Sequence, residues 1–233
     1  MTANDPVDEP SADEAPPSRR ELAVARSLDP ARARAEKRVQ RFLDAALELM
    51  QSAPDKEFTV QEVVEASGQS LRSFYQYFAG KHELLLALFE EAVRSTAEQL
   101  ATSIAEEDDP QERLHRFCVE YYRACRPTPP GRSGKPNSAG ALAEFTQQLL
   151  TAHPKEASRA FLPLVTLLEE VLDQAAVAGV IRPEVHNRRT AGVILQAVMF
   201  NAFAATISGT PLDAADAAAD ELWELVLHGI ATP

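Results

Sequence analysis

The segment from Phe58 to Lys81, FTVQEVVEASGQSLRSFYQYFAGK, constrains this chain more than any other stretch. Thr59 and Glu62 form a T-x-x-E capping box, in which each side chain satisfies a backbone N–H that the start of a helix leaves without a partner. Phe58 and Val63 stand where a hydrophobic staple would fix the entry angle, so a helix begins near Thr59. Val60, Val63 and Val64 give it one apolar face. Ser67-Gly68-Gln69 then supplies a glycine that lets the backbone leave in a tight turn after about two turns of helix. Ser70 can cap a second helix, whose Phe74 and Phe78 face inward and leave Arg72, Ser73, Tyr75, Gln76 and Tyr77 largely outside. Two short helices joined by a Gly-containing turn are the geometry that lays the second helix in the DNA major groove. A packing-only αα-hairpin is the competing reading.

The flanks fit a three-helix unit. Val39, Phe42, Leu43, Ala46, Leu47 and Met50 repeat at the helical period, predicting a first helix over Ala33–Ser52 that Pro54 ends. That stripe has to bury against the three valines and two phenylalanines of the hairpin, which defines a DNA-binding domain over 33–80. It brings Arg38 to the edge of the DNA surface, either as a backbone contact or as ordinary surface charge.

The run G-x-S-x-x-S-F-Y-x-Y-F-x-x-K, Gly68 to Lys81, resembles the recognition-helix signature of the tetracycline-repressor (TetR) family. The chain departs from the family pattern at Gln69, Arg72 and Ser73-Phe74, and since Arg72 and Ser73 belong to the groove-facing side, the target sequence is not transferable. The resemblance implies that Gln61, Tyr75, Tyr77 and Lys81 touch the DNA backbone or neighbouring bases. On chemistry, Arg72 suits guanine O6 and N7, and Gln76 suits adenine. Leu71 or Ser73 can meet a thymine methyl or a phosphate, and Ser70 belongs to the same surface.

A net charge of -12 argues against nucleic acid only until its distribution is considered. From Ala15 to Arg41 the chain carries eight Arg and Lys against three Asp and Glu. Residues 1–32, with five prolines and few large apolar side chains, are expected to be a flexible arm whose basic half follows DNA or is simply solvated. No secretory signal is present, and the apolar run Ala191–Ile207 is interrupted by polar residues, so a cytoplasmic protein without a membrane partner, its run forming a buried helix, is expected.

Beyond Gly80 the chain reads as helices throughout, with no β pattern, so the fold class is all-α: an N-terminal DNA-binding domain followed by a helical ligand-binding and dimerisation domain over 81–233. Helix 4 runs to about Ile104 and links the two. Helix 5 carries Leu114 to Cys125, residues 127–138 form a Pro-rich connector, and helix 6 spans about Ala139–Ala152. The stretch Lys155–Ala178 must kink or split at Pro163, and Gly179 caps it. Helix 8 is predicted from an Asn187 cap to Ser208, and helix 9 from Pro211–Asp213 to Gly229. Both are rich in alanine and short of charge. The family resemblance implies that helices 8 and 9 pair with their copies in a homodimer, which would read a palindromic operator.

The same resemblance implies an effector pocket, and aromatic and polar groups among apolar ones indicate where: Phe117, Cys118, Tyr121, Tyr122 and Cys125 on helix 5, then Phe145, Gln148, Thr166, Gln196, Met199, Phe200 and Phe203. Cys118 and Cys125, seven residues apart on a helix, are about 10 Å apart along its axis, too far for a disulfide. His115 with Cys118 lacks a third metal ligand, so neither a metal nor a cofactor is expected. Catalytic fingerprints are missing, which points away from an enzyme. The reading is a one-component transcriptional regulator, a repressor that a small hydrophobic or amphipathic ligand releases from its operator. The alternative is a helical small-molecule-binding or catalytic protein whose helix-turn-helix is only structural.

Overall fold

The computed structural model describes residues 19–53, 56–126, 138–185, 188–207 and 215–232. Among them it is built from ten α-helices and one 3-10 turn: α1 Arg19–Ser52, α2 Val60–Ser67, α3 Leu71–Tyr77, α4 Lys81–Ile104, α5 Pro110–Cys125, α6 Ser138–Ala152, α7 Pro154–Ala160, α8 Leu162–Val177, the 3-10 turn Pro183–Val185, α9 Arg188–Ile207 and α10 Ala215–Ile230. The one β feature among the described residues is an isolated antiparallel bridge between Ile181 and Ala231. The all-α expectation holds. Residues 42–233 form one compact unit and residues 1–41 another.

The first helix starts at Arg19, well before the expected Ala33, and passes through Pro30. Expecting no order up to residue 32 was therefore wrong for 19–32; residues 1–18 lie outside the described residues. Alanine, arginine and leucine between Arg19 and Ala35 are among the strongest helix formers, and they outweigh the single proline.

Local chemistry sets most of the other boundaries. Thr59 Oγ1 accepts from the Glu62 N–H at 3.2 Å while Glu62 Oε2 accepts from the Thr59 N–H at 2.7 Å, completing the capping box. Gly68 ends α2 in the left-handed region at φ 65°, and Gln69 N–H donates back to the Val64 carbonyl at 3.3 Å. Asp109 caps α5 by accepting from Gln111 and Glu112 N–H groups, with Pro110 opening the helix. The predicted break near Pro163 is a split: α7 ends at Ala160 and α8 opens at Leu162 with proline in its first turn. Gly179, at φ 75°, ends the turn after α8. Both cysteines are free thiols, buried on α5. The expected connector after Cys125, the Asn187 cap and the Pro211–Asp213 start fall outside the described residues.

α5 is central to the helical part, packing against α4, α8, α9 and α10. Phe117, Leu114 and Tyr122 on it are fully buried, as are Leu168 and Leu172 on α8. The helix containing Ala191–Ile207 is not buried all round. Ala191, Ile194, Leu195, Val198 and Ala202 are buried on one face of α9, whereas Val193, Ala197, Phe200 and Ala204 stand exposed on the other. Among the described residues no helix is long and apolar enough to cross a membrane.

Candidate functional site

The inner side of the helix-turn-helix is an aromatic cluster. Phe74 of α3 lies edge-on to Phe42 of α1 with ring centroids 5.4 Å apart, and Phe78 lies 5.4 Å from Phe74 and 6.1 Å from Phe42. All three are buried, with Phe58, Val63 and Val64. These rings fix the rotation of α3 about its axis, which decides which of its side chains face out.

The outward set is close to the predicted one. Leu71, Arg72, Tyr75 and Gln76 are exposed, and Tyr77 is half-buried. Tyr75 leans edge-on against Phe74 at 5.4 Å with most of its surface open, so it belongs to the outer surface and not the core. Ser70 caps α3 by accepting from the Ser73 N–H at 3.1 Å. Ser73 itself is half-buried, its Oγ enclosed without a hydrogen bond. Gln61 is exposed on α2, held to Glu65 at 3.0 Å. Arg38 is exposed on α1 within the unit that ends at Arg41.

Lys81 is held in place. Its Nζ lies 3.4 Å from Glu57 Oε2 and 4.6 Å from the centre of the Phe58 ring, an ion pair combined with a cation–π contact. Spacing along the chain gives no sign of this, because Glu57 and Lys81 are 24 residues apart. On the same side, Lys56 Nζ sits 2.7 Å from Glu62. That contact, followed by the Thr59 N–H and hydroxyl, holds the Glu62 carboxyl down to about 2.

In the helical part, a cavity of about 430 Å³ opens among α4, α5, α6, α8 and α9 and reaches Leu47 of α1. Of the predicted ligand residues, Tyr121, Cys125, Met199 and Phe203 line it; Phe89, Phe161 and Leu164 supply apolar wall, and Ser95, Thr96, Gln99 and Thr146 supply polar groups. A second cavity of about 460 Å³ lies between the α7–α8 region and α9, with Gln196 and Met199 on its wall beside Arg188 and Arg189. Phe117, Cys118, Tyr122 and Phe145 are buried but line neither cavity; Gln148, Thr166 and Phe200 are exposed and line neither. His115 turns toward α10, with Nε2 3.0 Å from Asp220 and its ring 5.2 Å from that of Trp223, away from Cys118 chemistry. Burial pushes the Cys118 and Cys125 thiols up to about 12, and it raises the Tyr121 hydroxyl well above its usual range. These are inert groups at neutral pH, suited to lining a pocket and not to nucleophilic chemistry.

Residues 42–88 match the family model for bacterial regulatory proteins of the tetR family. A search of curated protein sequences finds no match. Among solved structures, the chain is similar to the regulator FadR of Bacillus subtilis in complex with stearoyl-CoA, at 20% identity over 82% of this chain and 98% of that one, TM-score 0.63. It is also similar to the fatty acid degradation regulator FadR of Bacillus halodurans, at 19% identity over 81% and 94%, TM-score 0.63. A TetR-family transcriptional regulator from Pectobacterium atrosepticum matches at 17% identity over 87% and 98%, TM-score 0.65. At such identities the likeness is one of fold, and it extends through the helices that follow the matched segment. Residues 42–88, which hold the helix-turn-helix, are thus similar to the tetR family of bacterial regulatory proteins, and the described helices share the all-helical fold of these solved structures.

Proposed function

We propose that the protein is a cytoplasmic, homodimeric, one-component transcriptional repressor that binds a palindromic DNA operator and leaves it when a small hydrophobic or amphipathic molecule occupies the helical domain. The observation that carries this reading is α3, with Phe74 sealed in the core and Arg72 and Gln76 open on the opposite side. Residues 33–80 serve DNA binding and residues 81–233 serve effector binding and dimerisation. Its role is binding and not catalysis.

Arg72 and Gln76 read base edges, Leu71 rather than the enclosed Ser73 meets a thymine methyl, and Arg38, Gln61, Ser70, Tyr75, Tyr77 and Lys81 touch the DNA backbone or neighbouring bases. The dimer forms through the open faces of α9 and α10. Supporting this, Val193 and Phe200 are 57% and 48% exposed one heptad apart on α9, and Leu225 is 72% exposed on α10, open apolar side chains that a partner copy would cover. The effector enters the cavity of about 430 Å³, whose size and mostly apolar wall fit the range for small-molecule sites. A relative of similar fold binds stearoyl-CoA, which favours a long acyl chain as the first ligand to try.

Binding to a duplex selected from a random library, measured over a salt series, tests the reading. Affinity should fall steeply with salt, Arg72→Ala should cost about 1–3 kcal/mol on the selected sequence while relaxing its specificity, and Phe200→Asp should yield monomers by sedimentation. No sequence preference in any salt refutes DNA recognition; effector binding without duplex binding would favour a purely structural helix-turn-helix.

A further inference from the structure

His82, at the start of α4, meets two side chains of the α7 end. Its Nε2 is 2.7 Å from Glu156 Oε2, and its ring centroid is 4.5 Å from that of His153. His153 Nδ1 is 3.8 Å from the same Glu156 oxygen. One donor atom from each of the three lies within 4.8 Å of the other two. We propose that His82, His153 and Glu156 form a binding site for a divalent transition-metal ion of the zinc type, and that filling it ties α4 to α7 and changes operator affinity.

Ligands at about 2.0–2.2 Å from a tetrahedral ion stand about 3.3–3.6 Å from one another. The observed 2.7 and 3.8 Å separations straddle that spacing, so small side-chain rotations bring all three onto one ion. A histidine–carboxylate hydrogen bond accounts for His82 with Glu156. It does not extend to His153, whose ring lies against that of His82 and whose Nδ1, 3.8 Å from the same carboxylate, is beyond hydrogen-bonding reach. Two imidazoles with one carboxylate suit zinc and its neighbours, whereas calcium and magnesium prefer oxygen throughout. All three groups are half-exposed, which leaves a fourth position for water.

The frame around them is rigid. Glu156 and Ala157 N–H groups both donate to the His153 carbonyl at 3.0 Å, so the first turn of α7 sets those two ligands relative to each other. Phe145 backs the His82 ring at 5.6 Å between centroids. His82 follows α3 by only five residues, counting from Tyr77 at its end. A bond from His82 to α7 therefore restrains the segment that carries the recognition helix. This coupling rests on the regulator reading above; the metal site does not.

Full-length protein stripped with EDTA is titrated with Co²⁺, followed by its visible d–d absorption, and then with Zn²⁺ as competitor. The expected result is one Co²⁺ per chain, displaced by Zn²⁺. His153→Ala and the conservative Glu156→Gln should each weaken binding at least about a hundredfold, while His228→Ala leaves it unchanged. Melting curves of the variants separate lost ligands from lost fold. Failure of the wild type to bind one Co²⁺ per chain, or equal binding by folded His153→Ala, overturns the site. Zn²⁺ should also shift affinity for the selected duplex at least about fivefold in wild type and not in His153→Ala. Zinc binding without that shift overturns the coupling. Cobalt binding by a protein that recognises no duplex overturns the regulator reading and leaves the site standing.

Discussion

Replacing Phe74 by alanine should separate DNA recognition from ligand binding. The ring is fully buried, with three aromatic neighbours at centroid distances of 5.4, 5.4 and 5.4 Å. Removing a buried phenylalanine costs about 3–5 kcal/mol, within which the edge-on pairs account for about 0.5–1.5 kcal/mol each, the terms not being strictly additive. Against a typical total stability of about 5–15 kcal/mol, that is a large share. For a chain of this length each kcal/mol shifts the melting temperature by about 2–4 °C, so a drop of about 6–20 °C is expected. Phe74→Leu keeps most of the volume and should cost about 1–2 kcal/mol. Urea denaturation of the full chain measures both, and duplex binding of the folded variants measures whether α3 keeps its orientation. Operator affinity should fall more than effector affinity, because the cavity wall does not include Phe74. A Phe74→Ala loss below about 1 kcal/mol would refute the claim that this ring anchors α3.

Glu57→Ala frees Lys81 from its ion pair while keeping its place over Phe58; operator affinity should rise at low salt and the salt slope should steepen, whereas Lys81→Ala should weaken all duplexes alike and flatten it, as read by fluorescence anisotropy. Cys118 and Cys125 should resist a thiol reagent at neutral pH in the native protein and react fully once it unfolds. Their native values lie above those of unfolded cysteine, so the stability they lend is complete below about pH 8.5 and is lost as pH rises toward 12, measured as a falling urea midpoint. Glu62 works in the opposite sense: its carboxyl is held down to about 2, so its contribution is present above about pH 4.3 and disappears on acidification, and Glu62→Gln should remove that acid sensitivity from α2.

The helix-turn-helix was legible because its signals act over three or four residues. Thr59 with Glu62, Gly68 in the left-handed turn, Ser70 as cap and Phe74 with Phe78 each decide local geometry without help from the rest of the chain. The start of α1 was not, since Pro30 and scarce large apolar residues read as a tail while helix propensity from alanine and arginine prevailed. Pocket residues depend on how each helix is rotated within the bundle. On α6 the cavity takes Thr146 and leaves Gln148 outside, two residues and about 200° apart around the helix. Composition alone does not reveal that rotation. Alanine-rich α9 carries the same ambiguity, because alanine fits a core and an open face equally well, and the exposure of Phe200 becomes apparent only once the helix is packed. Pairing His82 with Glu156 spans 74 residues, beyond any periodic signal.

α4 is a single helix of 24 residues with no proline inside it, about 36 Å from end to end. Its first residue follows the recognition helix almost directly, and its middle, at Phe89, Val93 and Thr96, forms cavity wall. A rod of that length converts angle into distance: a tilt of about 5° about one end carries the other by about 3 Å. In the proposed dimer, operator half-sites would stand about one helical turn of DNA apart, about 34 Å, and the two copies of α3 would have to match that spacing together. If the chain is the dimeric repressor proposed above, a side-chain displacement in the cavity too small to unfold anything would be magnified, at the far end of one stiff helix, into a misfit about as large as the spacing between successive base pairs.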